Sequence, residues 1–461
     1  MSRARDRSLL TSLLLVAVAQ PGGIGAVPEA LALQATRPAA RQGPLRSGPM
    51  VGYSEMREVQ LWVQTREAAA VRFEYWDLER PVERRTTPEV RTTAEDAFVA
   101  EVPVALLEPG RRYGYAALID GERVEVDWPL EFQTQALWQW RSDPPDFRIV
   151  VGSCFYVNDP TYDRPGEPYG AGFEILDAIR EARPDAMIWM GDNVYLREAD
   201  WYSRSGILYR YGHTRALPEL QPLLGATHHY ATWDDHDYGP DNSDWTWREK
   251  ATTKQAFDLF WANPSSGQPE FGGILTMFQW GDADFFLLDD RWFRSSENRV
   301  GERQLFGPQI DWLIDALASS RATFKIVVSG TQVLNPEARW DSYATFPEER
   351  GRLLDELRAN DVDGVMFLTG DVHYSVLSRL PRQGTYPLYD LTVSPLTAGP
   401  TDTDEERNMN HLRVPGTLYA DRNFATLDFS GPREERVLTI TVRTTVGEEV
   451  WSRSIRASEL R

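Results

Sequence analysis

The sequence predicts an α/β protein preceded by an all-β module, and three observations carry that prediction. Up to about Thr134 apolar and polar residues alternate, and beyond Pro145 short unbroken apolar runs alternate with helical faces. Near the C-terminus the period returns to two. Alternation marks strands with one face in water, whereas unbroken apolar runs separated by helices mark parallel strands covered on both faces.

The opening MSRARDRSLLTSLLLVAVAQ places Arg3, Arg5 and Arg7 ahead of an apolar run from Leu9 to Ala19. Ala17-Val18-Ala19 has the small-residue pattern of a cleavage site, and Ala30-Leu31-Ala32 offers a second cut. A helix needs ~20 residues to cross a bilayer of ~30 Å, so the run reads as a signal peptide and not as a membrane span. Residues 1–32 are expected to hold the signal peptide and the start of a spacer, and 33–47 the rest of the spacer. The mature chain is expected to be secreted or periplasmic, without a transmembrane segment.

A β-sandwich is expected over 48–143. VQLWVQT (Val59–Thr65) and VRFEYWD (Val71–Asp77) alternate, and LEPGRRYGYAALIDG (Leu107–Gly121) puts a Pro-Gly turn before Tyr113 and Tyr115. A tyrosine near such a corner resembles fibronectin-type-III-like sandwiches. No titratable cluster falls in this stretch, so a binding or spacer role is expected of it.

Residues 144–461 are expected to form the catalytic domain. Phe147–Val151 and Ala186–Met190 are buried strands, and Phe173, Ile175, Leu176 and Ile179 mark the helix between them. The pattern recurs: a helix from Pro308 to Ser319 feeds Phe324–Val328, and one from Glu348 to Arg358 feeds Val365–Thr369. Such β-α-β repeats imply a parallel sheet. Asn423–Phe429, Arg436–Thr444 and Glu449–Ile455 alternate, and are expected to be antiparallel and to complete a second sheet.

Composition narrows the function. The 461 residues carry a formal net charge of −20, which repels nucleic acid and anionic membranes, so no nucleic-acid partner is expected. An anionic substrate would need local positive charge from metal ions or arginines. Cys154 is the one cysteine. In an exported chain a lone thiol is either buried and inert or has a chemical role.

Polar residues follow each buried strand. They are Gly152-Ser153-Cys154, Gly191-Asp192-Asn193-Val194-Tyr195, Asp234-Asp235-His236-Asp237, Asp289-Asp290-Arg291, Ser329-Gly330-Thr331-Gln332 and Gly370-Asp371-Val372-His373. In open α/β sheets such ends face the ligand crevice. Side by side, they would gather Cys154, Asp192, Tyr195, Asp235, His236, Asp371 and His373 on one patch. Packed carboxylates repel one another unless cations neutralise them. Thiolate, imidazole and phenolate suit a transition metal, while carboxylate and amide oxygens suit Ca2+, Mg2+ or Mn2+. The mixed set points to two unlike metals, with one carboxylate able to bridge them.

Gly191-Asp192-x-x-Tyr195 is similar to the GDxxY motif of purple acid phosphatases. Asp234-Asp235-His236-Asp237 looks like the GNH(E/D) motif of calcineurin-like metallophosphoesterases, and Gly370-Asp371-Val372-His373 like their GHxH. Two departures, Gly-Ser-Cys154 for the first Asp-x-His and GDxH for GHxH, together with WDDHD and the leading β-module, resemble the alkaline phosphatase D family. That resemblance runs from about Gly48 to beyond Thr444. It implies a four-layer α/β/β/α metallophosphoesterase sandwich with Fe3+ on Cys154, Asp192, Tyr195 and His373. It further implies Ca2+ on Asp192, Asp235 and Asp371, with Asn193 at its edge and Gln332 near the usual position of a metal-binding His. His236 would hydrogen-bond the phosphate and serve the leaving oxygen. From its own neighbours, Arg291 reads either as a clamp that assists at the substrate phosphate or as a structural partner of Asp289 and Asp290.

The function expected from this reading is hydrolysis of a phosphate ester, on a small molecule or a phospho-polymer, by hydroxide at a dinuclear centre without a phosphoenzyme. Three alternatives stay open: a phosphodiesterase or phospholipase-type hydrolase of the same fold, a serine-type hydrolase, and a non-catalytic surface-binding protein. Asp234 and Asp237 read equally as residues that only orient the loop. Arg294, His213, His228 and His229 read as structural.

Overall fold

Residues 43–338 and 342–461 are described by a computed structural model. The signal peptide and most of the expected spacer lie outside the described residues. The apolar runs fold as expected. Phe147–Gly152, Ala186–Met190 and His228–Thr232 pair in parallel, with Val151 opposite Ile188 and Ile188 opposite Tyr230. Their side chains alternate between two covers. Ile149, Val151, Ile188, Met190 and Tyr230 face a second sheet. Val150, Met187, Trp189 and Ala231 face helices that include Ile175, Ile179, Ile207 and Tyr211. Both faces are therefore dry, and this is why these strands carry no polar alternation.

The second sheet runs Thr276–Trp280, Ala283–Leu287, Phe324–Val328, Val365–Thr369, Leu388–Thr392, Val376–Leu380, parallel at its centre and antiparallel at both edges. Helices Gln309–Ser319 and Pro347–Ala359 cover its outer face through Ile310, Leu313, Leu353 and Leu357. Two mixed sheets thus stack between helical layers, the α/β/β/α order that the sequence predicts. The three C-terminal strands are antiparallel as expected. They join the sheet of Phe147–Gly152, where Phe429 stacks on Phe147 at 4.5 Å.

The N-terminal residues form an all-β region whose two sheets face each other. One sheet holds Ala70–Asp77 and Arg112–Ile119. The other consists of Leu45–Ser54, Glu58–Thr65 and Val99–Ala105, which also continue the first large sheet through a parallel contact of Val51 with His228. The corner tyrosine is in place, since the Tyr113 hydroxyl accepts the Glu108 N–H at 3.0 Å. Residues 43–461 make one compact unit, because the two regions share those three strands. Among the described residues no helix is long and apolar enough to cross a membrane.

Two of the expected structural histidines carry a pH dependence. His228 bridges the Gly52 carbonyl and the Gln133 N–H, tying the all-β region to the sheet. His229 Nδ1 accepts the Trp189 indole N–H at 3.0 Å, so Nε2 carries the proton and faces the Leu223 carbonyl. Burial, with Arg215 adding to it, pushes His229 down to about 3 from 6.5. The unfolded chain takes up this proton first, so stability held above pH 6.5 is lost as pH falls toward 3. His229→Gln keeps an acceptor for Trp189 but does not titrate. It is expected to lose about 2 kcal/mol less unfolding free energy between pH 7 and pH 5 than the unaltered protein. Urea unfolding at the two pH values measures this, and equal losses would show that His229 is not a source of acid sensitivity.

Candidate metal centre

The two sheets meet at the carboxyl ends of their strands. Gly370 approaches so closely that a Cβ there would stand 2.6 Å from Ser153 Oγ and 2.8 Å from the Met190 carbonyl. Gly191, at φ +92°, leaves no room for a Cβ beside Asp234. The Gly-Asp pairs that begin two of the motifs are therefore places where one backbone touches the next, and each aspartate follows directly. Cys154, Asp192, Asp371 and His373 themselves have φ of 59, 52, 68 and 58°. Non-glycine residues adopt the left-handed region at a cost, and such residues concentrate at functional sites.

Ligand-type atoms of Cys154, Asp192 and His373 lie within 4.8 Å of one another, and so do those of Asp192, Asp235 and His236. Asp192 belongs to both groups. Its Oδ2 is 3.8 Å from Cys154 Sγ, and its Oδ1 accepts the His236 backbone N–H at 3.2 Å. The Cys154 and Phe155 N–H groups donate to the carbonyls of Gly191 and Asp192, which laces the first two strand-end turns together. Tyr195 places its hydroxyl 3.3 Å from His373 Nε2. His373 Nδ1 donates to the Gly399 carbonyl at 2.6 Å, leaving Nε2 with its lone pair toward the cluster. Burial holds this ring neutral, down to about 4.

Asp371 stands beside the two groups. Its side chain is in neither group, while its backbone carbonyl accepts from Cys154 Sγ at 3.3 Å. The Asp371 charge nevertheless acts on both Cys154 and Asp192.

The third motif is built around two carboxylates that serve the backbone. Asp234 caps the turn Asp235–Tyr238, and Asp237 accepts the N–H groups of Asp234, Asn193 and Val194. Both orient the loop. Asp235 Oδ2 accepts the Asn242 N–H at 2.7 Å, but its Oδ1 is buried without a hydrogen-bond partner. Asn193 is alike: its amide N–H donates to Thr232, and its Oδ1 is buried and unpartnered. Buried oxygens left in this way cost free energy unless something accepts their lone pairs.

Electrostatics points the same way. Burial, then the charges of Asp235 and Cys154, hold the Asp192 carboxyl well above the usual range. Burial and Asp371 push the Cys154 thiol up to about 12. Burial, then Asp192 and Cys154, raise Tyr195. Burial alone would raise Asp235, but the His236 and Arg291 charges and the Asn242 N–H together hold it low. Three acids that resist ionisation beside unpartnered oxygens need cationic charge to become a ligand set, and the residues present fit metal ions.

Arg291, expected at the substrate phosphate, is placed elsewhere. It is fully buried, and its guanidinium grips Asp234, with Nε donating at 2.6 Å. It orients the turn behind the site and has no surface for substrate. Arg294 is likewise buried and pairs with Glu297. Gln332 has both ends committed, to Thr392 and to Asn335. His213 Nε2 lies against the Asn158 carbonyl, away from both groups.

A cleft of about 930 Å³ opens beside the cluster, lined by Tyr156, Tyr169, Tyr195, Arg197, His236 and Asp241 among others. Tyr156, Tyr169 and Arg197 escaped the sequence reading. The available signal was Arg197 standing two residues after the GDxxY tyrosine; nothing local marks the other two.

Stacked mixed sheets with carboxylate, thiol and imidazole groups at their shared end define the metallophosphoesterase class of fold. A model of the PhoD-like phosphatase family matches residues 151–431, more than half of the sequence, and the chain belongs to that family. A second model, of a domain of unknown function, matches residues 42–137. Alkaline phosphatase D of Bacillus subtilis (strain 168) is 26% identical over 315 residues, covering 59% of this chain and 53% of that protein. The chain thus spans about half the length of this curated relative. A solved structure of PhoD superposes with a TM-score of 0.72 at 18% identity, covering 92% of this chain and 93% of the other. A purple acid phosphatase from yellow lupin (Lupinus luteus) seeds gives 0.63 at 12% identity, over 89% and 74%. At these identities the two structures speak for the fold alone.

Proposed function

We propose that this protein is an exported, metal-dependent phosphoester hydrolase with a dinuclear centre at the two clusters. The observation that carries the reading is the membership of Asp192 in both, one buried carboxylate shared by a thiol- and imidazole-containing set and an oxygen-rich one. In this reading Cys154, Tyr195, His373 and Asp192 would hold Fe3+, and Asp192, Asp235 and Asp371 would hold Ca2+ with Asn193 at the edge. Such ions neutralise the carboxylates, polarise phosphoryl oxygens and favour attack by water.

The chain's own groups do the remaining work. His236 keeps 18% of its side chain exposed at the cleft, and its ring lies on Tyr195 at 4.5 Å between centroids. Its backbone N–H donates to Asp192, which holds the main chain of His236 against the shared carboxylate. In this reading water would add its oxygen to phosphorus as the ester P–O bond breaks, and His236 would hand a proton to the leaving oxygen and recover one from the attacking water. Tyr156 and Tyr195 wall one side and exclude solvent, and the open cleft leaves room for the alcohol portion of a small ester or a phospho-polymer.

The test uses protein recovered from the medium or periplasm. Its first residue is read by mass spectrometry, iron and calcium are counted, and p-nitrophenyl phosphate and bis(p-nitrophenyl) phosphate are assayed with and without chelator. About one iron and at least one calcium per chain are expected, with about a 100-fold or greater loss of activity on chelation. The mature chain is expected to begin just after Ala19 or Ala32. Folded protein without stoichiometric metal would favour a surface-binding protein. Activity indifferent to chelation would favour a serine-type hydrolase, and a clear preference for the bis-ester a phosphodiesterase.

A further inference from the structure

We propose that Arg197 binds the substrate's phosphoryl oxygens and matches the cleft to doubly charged phosphate monoesters. The substrate class rests on the hydrolase reading above. The geometry of the side chain rests on the structure alone.

Arg197 is 8% exposed and lines the same cleft as His236 and Tyr195. Its guanidinium carbon lies 4.9 Å from the Tyr156 ring centre and 5.5 Å from that of Tyr195. Nε donates to the Tyr156 hydroxyl at 3.1 Å, which fixes the plane of the fork. Among the described residues no carboxylate stands within ion-pair distance of this guanidinium. Its neighbours are spoken for: Arg164 pairs with Glu198 at 2.8 Å, and Arg210 holds Asp163 and Asp200. Glu198, the carboxylate next to Arg197 in sequence, is the one held by Arg164, and Asp200 accepts from Arg197 only its backbone N–H.

A nearly desolvated guanidinium without an anion is an unusual holding in a chain of net charge −20. The two tyrosine faces offset part of the cost and set the orientation. Nε is spent on Tyr156, so the terminal nitrogens remain for a planar, two-pronged acceptor, which is how arginine recognises phosphate. A monoester phosphate has three unesterified oxygens, so two can meet Arg197 while the third is left for the cluster around Asp192. A diester has only two, and cannot satisfy both sides equally. Arg291 cannot take this role, because it is buried against Asp234.

The rival explanation is that Arg197 merely props Tyr195 against the cluster. Arg197→Gln and Arg197→Lys holoproteins separate the two. Inorganic phosphate binding is measured by calorimetry, and KM and kcat for p-nitrophenyl phosphate and its bis-ester by steady-state kinetics. Arg197→Gln is expected to weaken phosphate binding about 10- to 100-fold and to raise KM for the monoester by a similar factor. KM for the bis-ester should move by less than about threefold, and Arg197→Lys should recover part of the loss through its charge. Unchanged phosphate affinity, equal effects on both esters, or metal lost with the arginine would each overturn the proposal. If the unaltered protein cleaves neither ester, the hydrolase reading fails, and the phosphate titrations still decide whether Arg197 is an anion-binding residue.

Discussion

Asp192→Asn is expected to lower kcat/KM for phosphate esters by about 1,000-fold or more, about 4 kcal/mol of transition-state stabilisation, and to empty the site of metal. The amide keeps the shape of the carboxylate, and its oxygen can still accept the His236 backbone N–H, so the turn that presents His236 survives. What is lost is the negative charge common to both clusters. The metal-free protein should respond in the opposite sense. Burial, then Asp235 and Cys154, hold Asp192 well above its usual range, so ionising it at neutral pH works against the folded state. Metal-free Asp192→Asn should therefore melt higher at pH 7 than the metal-free parent, with the order reversed once both are loaded. Thermal melts with and without chelator, beside elemental analysis, check this. A variant that keeps full metal content, or that melts lower in both states, would show that Asp192 is an ordinary structural carboxylate.

Arg291→Met is expected to cost about 3–5 kcal/mol of stability, the usual consequence of leaving one member of a buried ion pair behind. Arg291 and Asp234 are both fully buried, and Nε donates to Asp234 Oδ1 at 2.6 Å. Without the guanidinium, burial and the fields of Asp290 and Asp192 push the Asp234 carboxyl still further up, so it either stays ionised at a cost or takes up a proton and loses its partner. Asp234 also caps the turn that carries Asp235 and His236, so activity should fall together with stability. Adding Asp234→Asn removes the stranded carboxyl, and the double variant is expected to recover much of the loss, a coupling that neither single change reports. Denaturant unfolding of the two single variants and the double gives the cycle. A substrate clamp would behave otherwise, raising KM at unchanged stability. A loss below about 1 kcal/mol would mean that the pair carries little of the fold.

Much of the site was legible because the rule that exposes it is local. Unbroken apolar runs such as Ala186–Met190 fit only strands covered on both faces, and the carboxyl ends of neighbouring parallel strands come out on one side. Cys154, Asp192 and Asp235 follow three adjacent strands of one sheet, so their convergence needed little more than strand order. His373 follows a strand of the other sheet, and its approach depends on the close fit of Gly370 against the Ser153 side chain and the Met190 carbonyl. The same rule misled at Arg291. That residue also follows a strand end, but where a long side chain points and which acid it meets are not written in its neighbours. Arg197 is the mirror case, an unremarkable residue in LREAD until the rings of Tyr156 and Tyr195 are seen around it.

By itself, the sequence determined where the central apolar strands and the helices feeding them lie, which polar residues end those strands, and that the grouped acids, thiol and imidazoles need cations. Those properties follow from how each short segment partitions between water and the interior, and from the charge its own side chains carry. Only the tertiary structure decided that Leu45–Ser54, Glu58–Thr65 and Val99–Ala105 serve both the all-β region and the large sheet. It alone decided that Asp371 turns its carbonyl to Cys154 and that Arg291 belongs to Asp234. Sheet pairing and ion-pair choice are set by contacts between residues far apart in the chain, whose energies depend on burial that no single segment possesses before the sheets have met.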